Sequence, residues 1–436
     1  MHSLLIQPLS RPPQASVRVP GSKSLTNRAL LVAALAQGET RLSNALFSDD
    51  SRYFAAALQQ LGFSLTLDED RRQMTVLGQG GRIPARQASL FIGNAGTAAR
   101  FLTAMLTLGD GEYLLDGDAR MRQRPIGDLV AALNVLGAAV VPLDEASGTA
   151  ACPPLRVSAS GLPGGKTGIS GSTSSQYLSG LLMVAPYARQ TVELSVLDDL
   201  NSKPYVDLTL SVMADFGVQV ERQGYDRFTI QPQRYQARAD YRIESDASAA
   251  AYFFAVPAVC GGTVQVEGIS LQSRQGDIAF LDVLAQMGCT VHATRTGVAV
   301  AAGASLQGVD VDLRDIPDTA QTLAAVAPFA SSPTTIRGIA SARLKETDRV
   351  AATCRELARL GVPVEEHPDG LTIQPCTEIK PASVHTYNDH RMAMSFALIG
   401  LRLSGVSIEH PGCVSKTFPD FFQVLESLRI PGPPPV

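Results

Sequence analysis

Two kinds of apolar pattern alternate along this chain. In the first, nearly every position is apolar, and the run opens straight out of a short polar loop. It occurs six times: GSKSLTNRALLVAALA from Gly21, GNAGTAARFLTAML from Gly93, GSTSSQYLSGLLMVA from Gly171, SDASAAAYFFAV from Ser245, PDTAQTLAAVA from Pro317 and NDHRMAMSFALIG from Asn388. Segments that are apolar all round predict buried helices. In the second kind, apolar residues recur at helical spacing, which predicts amphipathic surface helices. Five of these end in Leu, Phe or Met followed by Gly, a residue suited to the left-handed position after a helix: AAALQQLGFSL, AALNVLGAAV, SVMADFGVQV, DVLAQMGCTV and CRELARLGVPV. The last repeat offers FPDFFQVLESLRI instead, a closing helix without the glycine. Strand patterns such as RQMTVLG and RFTIQP follow several of them.

The two patterns interlock with a period of roughly 70 residues, each unit holding two helices and a few strands. Three units on each side of a boundary near Asp240 predict two similar α/β domains, with QPQRYQARADYRIE as the crossover. One domain is expected over residues 21–240 and the other over 1–20 together with 241–436. The tail PGPPPV is expected to fray. A solenoid that only presents a binding surface is the bland alternative. Against it, the loops before the buried helices carry Ser, Thr, Asn, Lys and Arg rather than scaffold fillers. A helix N-terminus favours anions through its unpaired N–H groups and partial positive charge. Six such ends point to one large site for a ligand with several negative charges.

Composition narrows the class. The chain has 436 residues, 45% hydrophobic and 18% charged, with a formal net charge of −4. That is an ordinary globular balance, with no global case for nucleic acid or anionic membrane. No apolar run reaches the ~20 residues a membrane span needs. Cys152, Cys260, Cys289, Cys354, Cys376 and Cys413 are scattered, with no CxxC pair and no clustered His. This argues against a zinc site or disulfide framework and for a reducing compartment. No signal or transit peptide is read, and the expected location is cytoplasmic.

The loops carry the chemistry. Lys23, Ser24 and Arg28 lie in the first turn and a half of the first buried helix, Ser24 and Arg28 on one face. It is not a Walker A loop, whose glycine must directly precede the lysine. Gly93-Asn94-Ala95-Gly96-Thr97 puts two glycines where backbone approaches a ligand, and Arg120, Arg122 and Arg124 follow within one short run. Guanidinium forks suit carboxylate and phosphate. Ser172-Thr173-Ser174-Ser175-Gln176-Tyr177 and Asn201-Ser202-Lys203-Pro204-Tyr205 offer hydroxyls and amides. In the second half, Asp318 opens a buried-type helix, where a simple N-cap is its bland reading. Lys345-Glu346-Thr347-Asp348-Arg349 packs four charges into five residues, and Lys345 and Arg349 would share a face if both lay on one helix. Asn388-Asp389-His390-Arg391 and Ser415-Lys416-Thr417-Phe418-Pro419 complete the set.

In order and across nearly the whole chain, PGSKSLTNRALL, GNAGTAAR, RMRQRP, GSTSSQYL, SKPY, IPDTAQT, LKETDR, YNDHRMAM and SKTFPDFF resemble the motifs of the 5-enolpyruvylshikimate-3-phosphate synthase family. The resemblance implies an enolpyruvyl transferase-like inside-out α/β barrel, with two similar domains each of three βαβαββ repeats. It implies transfer of the enolpyruvyl group of phosphoenolpyruvate to the 5-hydroxyl of shikimate 3-phosphate, with release of phosphate and no metal or organic cofactor. By resemblance, shikimate 3-phosphate meets Lys23, Ser24, Arg28, Ser174, Ser175, Gln176, Ser202, Tyr205, Asp318 and Lys345. Phosphoenolpyruvate meets Lys23, Gly96, Arg124, Gln176, Arg349, Arg391 and Lys416, with Asn94 and Thr97 in the same loop. Asp318 is the implied base for the hydroxyl, Glu346 the acid for the methylene carbon, and Lys23 a proton donor to the departing phosphate. Partners are these small molecules, with no nucleic acid or membrane, and the expected state is a monomer.

Phe101 stands where the family usually has Pro, and Ser341 where many members have Asn. Gly96 and Thr97 match the glyphosate-sensitive pattern, so competitive inhibition by glyphosate is expected. The nearest rival is the enolpyruvyl transferase acting on UDP-N-acetylglucosamine, which typically has Lys-Asn in the first motif and a reactive loop cysteine. Here Ser24 follows Lys23. A catalytically silent anion-binding homologue is the other rival, and the presence of both Asp318 and Glu346 argues against it.

Overall fold

A computed structural model describes residues 3–143 and 151–430; the PGPPPV tail lies outside the described residues. Twelve α-helices occur among them: α1 (Lys23–Leu35), α2 (Asp49–Gln60), α3 (Gly96–Leu106), α4 (Gly127–Val135), α5 (Ser175–Val184), α6 (Lys203–Asp215), α7 (Ala247–Cys260), α8 (Phe280–Gln286), α9 (Ala320–Val326), α10 (Arg349–Arg359), α11 (His390–Gly400) and α12 (Phe421–Ser427). The chain divides into two compact units, Gly21–Ile243 and Met1–Pro20 with Glu244–Val436.

In the first unit the all-apolar patterns become α1, α3 and α5, each buried almost end to end. They carry no polar stripe, so only a position enclosed by other elements satisfies them. The amphipathic patterns become α2, α4 and α6, each burying one face, while the other is exposed in parts of α2 and α4 and half-buried in α6. Each is followed by a glycine with φ near +90° (Gly62, Gly137, Gly217), where any other residue would be strained. The second unit repeats the scheme with α7, α9 and α11 buried, and Gly288 and Gly361 ending α8 and α10.

Each complete repeat ends as a four-stranded sheet in the order first, second, fourth, third. In the Gly93 repeat, strand Gln87–Phe91 runs parallel to Asp110–Asp116, Leu155–Ser160 pairs antiparallel to the latter, and Val140–Pro142 closes the edge. A parallel pair needs a crossover helix, and here that helix is the buried α3. The first repeat of each unit takes its first strand from a distant part of the chain. Tyr241–Arg242 pairs parallel to Leu42–Ser43, in the strand that follows α1, and Gln14–Arg18 pairs parallel to Thr263–Glu267, the strand that follows α7. The final repeat departs from the six-element pattern. Ser407–Glu409 pairs both with Ser383–Val384 and with the N-terminal strand Ser3–Leu5, and α12 replaces the closing hairpin.

Among the described residues no helix is long and apolar enough to cross a membrane. None of the six cysteines is joined in a disulfide, and no group of His, Cys, Asp and Glu among the described residues is arranged to hold a metal ion.

Candidate active site

The first unit places its polar residues at the N-terminal ends of its buried helices. Ser22 caps α1 by accepting from Leu25 N, which leaves Lys23 and Ser24 in the first turn. Lys23 Nζ stands 3.4 Å from Asp50 Oδ2, a buried carboxylate in the first turn of α2. Arg28 follows one turn after Ser24 and is 2% exposed. Its guanidinium donates to Thr209 Oγ1 at 2.7 Å, to the Ser24 carbonyl at 3.0 Å, to the Tyr205 carbonyl at 3.1 Å and to Ser179 Oγ at 3.3 Å. All four acceptors are neutral. Burial accordingly brings its pKa down to about 10, and only Tyr205 pulls the other way. Buried cations are ordinarily paired with a negative charge, and none of these four acceptors carries one.

Tyr205, whose carbonyl accepts from that guanidinium, and Ser202 both come from the start of α6. Ser202 caps the helix with φ +59°, a conformation that disfavours side chains and marks a site held by its surroundings. Ser174 caps α5 by accepting from Gln176 N at 3.3 Å, so Ser175 and Gln176 occupy the first turn. Asn94, Gly96 and Thr97 form the turn into α3. Arg124 Nη1 donates to the Asn94 carbonyl at 3.2 Å and to Asn94 Oδ1 at 3.0 Å. The turn carrying Arg124 is itself held from behind, because Arg100 Nη2 and Tyr177 OH both donate to the Pro125 carbonyl, at 2.6 and 2.5 Å.

Two supports in this unit were not read from the sequence. Asp50 sits in an unremarkable SDD run. Asp198 accepts from Ser170 Oγ, Gly171 N, Ser172 N and Ser172 Oγ, and so shapes the loop before α5. Burial would raise its pKa, yet these donors, Ser172 first, hold it below the ordinary carboxylate value.

In the other unit, all six residues singled out by the sequence fall in one ion network. Asp318 receives Arg391 Nη2 at 2.7 Å, Arg349 Nη1 at 2.9 Å and Lys345 Nζ at 3.1 Å. Glu346 receives Arg349 Nη2 at 2.8 Å, and Lys416 Nζ lies 3.7 Å from it. Arg349 Nε binds Asp389 Oδ2 at 2.7 Å, and Asp389 is wholly buried. The Arg349 guanidinium thus meets three carboxylates. Burial acts against its charge, but Asp389, Glu346 and Asp318 outweigh it and raise its pKa. Burial lowers that of Lys345 despite Asp318.

The structure decides two points that the sequence left open. Lys345 and Arg349 do not share a helix: Lys345 closes the 3-10 turn Ala340–Leu344, and Asp348 caps α10, which starts at Arg349. The pair converges on Asp318 from separate elements. Nor is Asp318 a helix cap; it lies inside the 3-10 turn Pro317–Thr319, and its carboxylate serves the cations. Asp389, quoted within a motif but given no role, caps α11 and accepts Arg391 N at 2.9 Å. It is reached through Tyr387 and Asn388, consecutive residues with φ near +54°. Such backbone is held against local preference; Tyr387 OH is tied to Glu356 at 2.7 Å.

Comparison with known proteins settles the kinship. The model of the family described as EPSP synthase (3-phosphoshikimate 1-carboxyvinyltransferase) matches residues 10–425. This chain belongs to the EPSP synthase family. Among relatives named 3-phosphoshikimate 1-carboxyvinyltransferase, that of Nostoc punctiforme is 52% identical over 98% of this chain and 100% of its own length. A chloroplastic relative from Brassica napus is 48% identical over 98% of this chain and 85% of its own. An EPSP synthase structure from Acinetobacter baumannii superposes with a TM-score of 0.81 over 99% of both chains, at 24% identity, which speaks for the EPSP synthase fold.

Proposed function

We propose that this protein transfers the enolpyruvyl group of phosphoenolpyruvate to the 5-hydroxyl of shikimate 3-phosphate and releases phosphate. The observation that carries this reading, beside family membership, is the pairing of Asp318 and Glu346 through one guanidinium, at 2.9 and 2.8 Å. Two carboxylates with different neighbours are what an addition–elimination needs, one to take a proton and one to give it.

Glu346 delivers a proton to the methylene carbon of phosphoenolpyruvate, which makes C2 electrophilic. The 5-hydroxyl attacks C2 while Asp318 removes its proton, giving a tetrahedral intermediate. Loss of a methyl proton back to the enzyme re-forms the double bond as the C2–O bond to phosphate breaks, and Lys23 protonates the leaving phosphate. Atoms balance without an added metal, redox partner or organic cofactor. Arg28, Ser24, Ser174, Ser175, Gln176, Ser202, Tyr205 and Lys345 bind shikimate 3-phosphate. Lys23, Gly96, Arg124, Arg349, Arg391 and Lys416 bind phosphoenolpyruvate, with Gln176 shared and Asn94 and Thr97 shaping the Gly96 turn. The neutral surroundings of Arg28 support its share of this assignment, since the substrate supplies the missing negative charge. The protein acts in the cytoplasm as a monomer.

Phosphate release is the direct test, measured with phosphoenolpyruvate and shikimate 3-phosphate, then with UDP-N-acetylglucosamine as acceptor. Release only with the first is expected. Release only with the second would transfer the assignment to the rival enzyme class, and release with neither would leave a binding protein.

A further inference from the structure

The unit holding Asp318 contains another buried carboxylate to which the reaction above gives no task. Asp277 lies in the 3-10 turn Gly276–Ala279 and is 4% exposed. Its neighbour Gln275 fastens this turn to the start of α7. The Gln275 side chain donates to the Ser245 carbonyl at 2.7 Å and accepts from Ala247 N at 3.2 Å, on either side of Asp246, the cap of α7. Ser248 Oγ then donates to Asp277 Oδ2.

One helical turn further along α7, Tyr252 OH accepts from Arg391 Nη1 at 3.2 Å. Residues four apart on a helix stand side by side, about 5–6 Å between Cβ atoms. The same face of α7 therefore presents Asp277 and Arg391 as neighbours. From its other amino group Arg391 reaches Asp318 Oδ2 at 2.7 Å. Asp277 is thus flanked by the negative charges of Asp318 and Asp246 and the positive charge of Arg391. Burial, and then the charge of Asp318, push its carboxyl up to about 6, against the pull of Arg391 and Ser248.

We propose that Asp277 is a positioning residue for the reaction, a second carboxylate that shares Arg391 with Asp318 and thereby sets the charge balance around the base. The proposal rests on the reading of Asp318 and Arg391 as site residues. When Asp277 is ionised, Arg391 is divided between two carboxylates and Asp318 is the stronger base. When Asp277 carries a proton, Arg391 is committed to Asp318, which then accepts a proton less readily.

The test compares the whole wild-type chain with Asp277→Asn, following kcat and both KM values between pH 5 and 8.5. The phosphate groups of the substrates also ionise near pH 6, but they are common to both proteins and cancel in the ratio of rates. The variant should match wild type near pH 5 and fall roughly tenfold below it above pH 7, where wild type has gained the extra negative charge. Its KM for phosphoenolpyruvate should drop, since one negative charge near Arg391 is gone. Ser248→Ala keeps the carboxylate but removes its donor, and should move the acid limb of the wild-type profile to higher pH. A ratio that is constant across the range overturns the proposal, as does an unmoved limb in Ser248→Ala. A wild type inactive with both substrates overturns the site reading and takes the proposal with it, so the two failures are distinct.

Discussion

The Arg28 guanidinium lies over the ring of Phe101, with Cζ 5.2 Å from the ring centroid. Phe101, on α3, is wholly buried. An aromatic face attracts a cation, worth up to about 2 kcal/mol when both are desolvated. The ring thus gives a charge-poor pocket a partial neutraliser that constrains Arg28 without occupying any of its donors.

Phe101→Leu removes the ring face and leaves an undersized side chain. We expect a stability loss of about 1–3 kcal/mol in denaturant unfolding. Because Arg28 loses its stack but keeps its hydrogen bonds, KM for shikimate 3-phosphate should rise severalfold while kcat changes little. A fall in kcat at unchanged KM would show that the ring does not act through Arg28.

Gly96 opens α3 where a side chain has no room: a Cβ built there meets Arg124 Nη2 at 2.6 Å and its Cζ at 3.0 Å. The obstructing atoms are the end of a flexible side chain, so Gly96→Ala should fold normally, with stability within about 1 kcal/mol of wild type. The displaced guanidinium is a different matter. KM for phosphoenolpyruvate should rise about tenfold or more, because catalytic geometry tolerates little displacement. Inhibition by glyphosate, expected of the wild type, should weaken in parallel. Inhibition assays on both proteins check this, and an unchanged KM would mean that Arg124 does not meet this substrate.

How much of this was legible in the chain depends on the range of the interaction involved. Helix type and order follow from local patterning, and the five glycines after the amphipathic helices all have the left-handed backbone their position demanded. The exchange of first strands was not legible, because the pairing of Gln14–Arg18 with Thr263–Glu267 spans nearly 250 residues and leaves no local trace. The charged residues were recognisable as a set, but their partners were not. Nothing near Lys345 and Arg349 in sequence shows that both turn toward Asp318 from separate elements. Asp50, Asp198 and Asp277 escaped notice because each looks like a solvated turn residue until its burial or its donors are seen.

Asp277 also predicts a pH dependence of stability. Its carboxyl titrates near 3.8 in the unfolded chain and is pushed up to about 6 in the folded one. Between those values the folded state binds the proton more, so stability from this group is greatest at low pH and is lost as pH rises from about 4 to 6. Above that the loss is complete, on the order of 3 kcal/mol for a shift of about two units. Asp277→Asn removes the buried charge and should be more stable than wild type by about 1–3 kcal/mol at pH 8, with the advantage vanishing by pH 4. Denaturant melts at the two pH values decide it. A variant less stable at pH 8 would mean that the attraction to Arg391 exceeds the desolvation of the carboxylate.

The Arg349–Asp389 contact separates stability from catalysis. Arg349 is the one guanidinium seen here to touch Asp318, Glu346 and Asp389 together, and Asp389 has no exposure to water. Arg349→Met leaves these carboxylates short of positive charge in a buried setting, where loss of one partner typically costs about 3–5 kcal/mol. Arg349→Lys keeps the charge, but a single ammonium cannot span three acceptors that a planar fork reaches at once. It should be intermediate in stability, and its kcat should fall further than its stability suggests, because Asp318 and Glu346 lose the group that aligns both. Adding Asp389→Asn to Arg349→Met removes the most buried of the stranded charges. The double variant should therefore recover part of the stability lost by the single one, a coupling read from a double-mutant cycle by thermal or denaturant unfolding. Strict additivity in that cycle would show that Arg349 stabilises the unit by packing alone, and the decline in kcat would then need another cause.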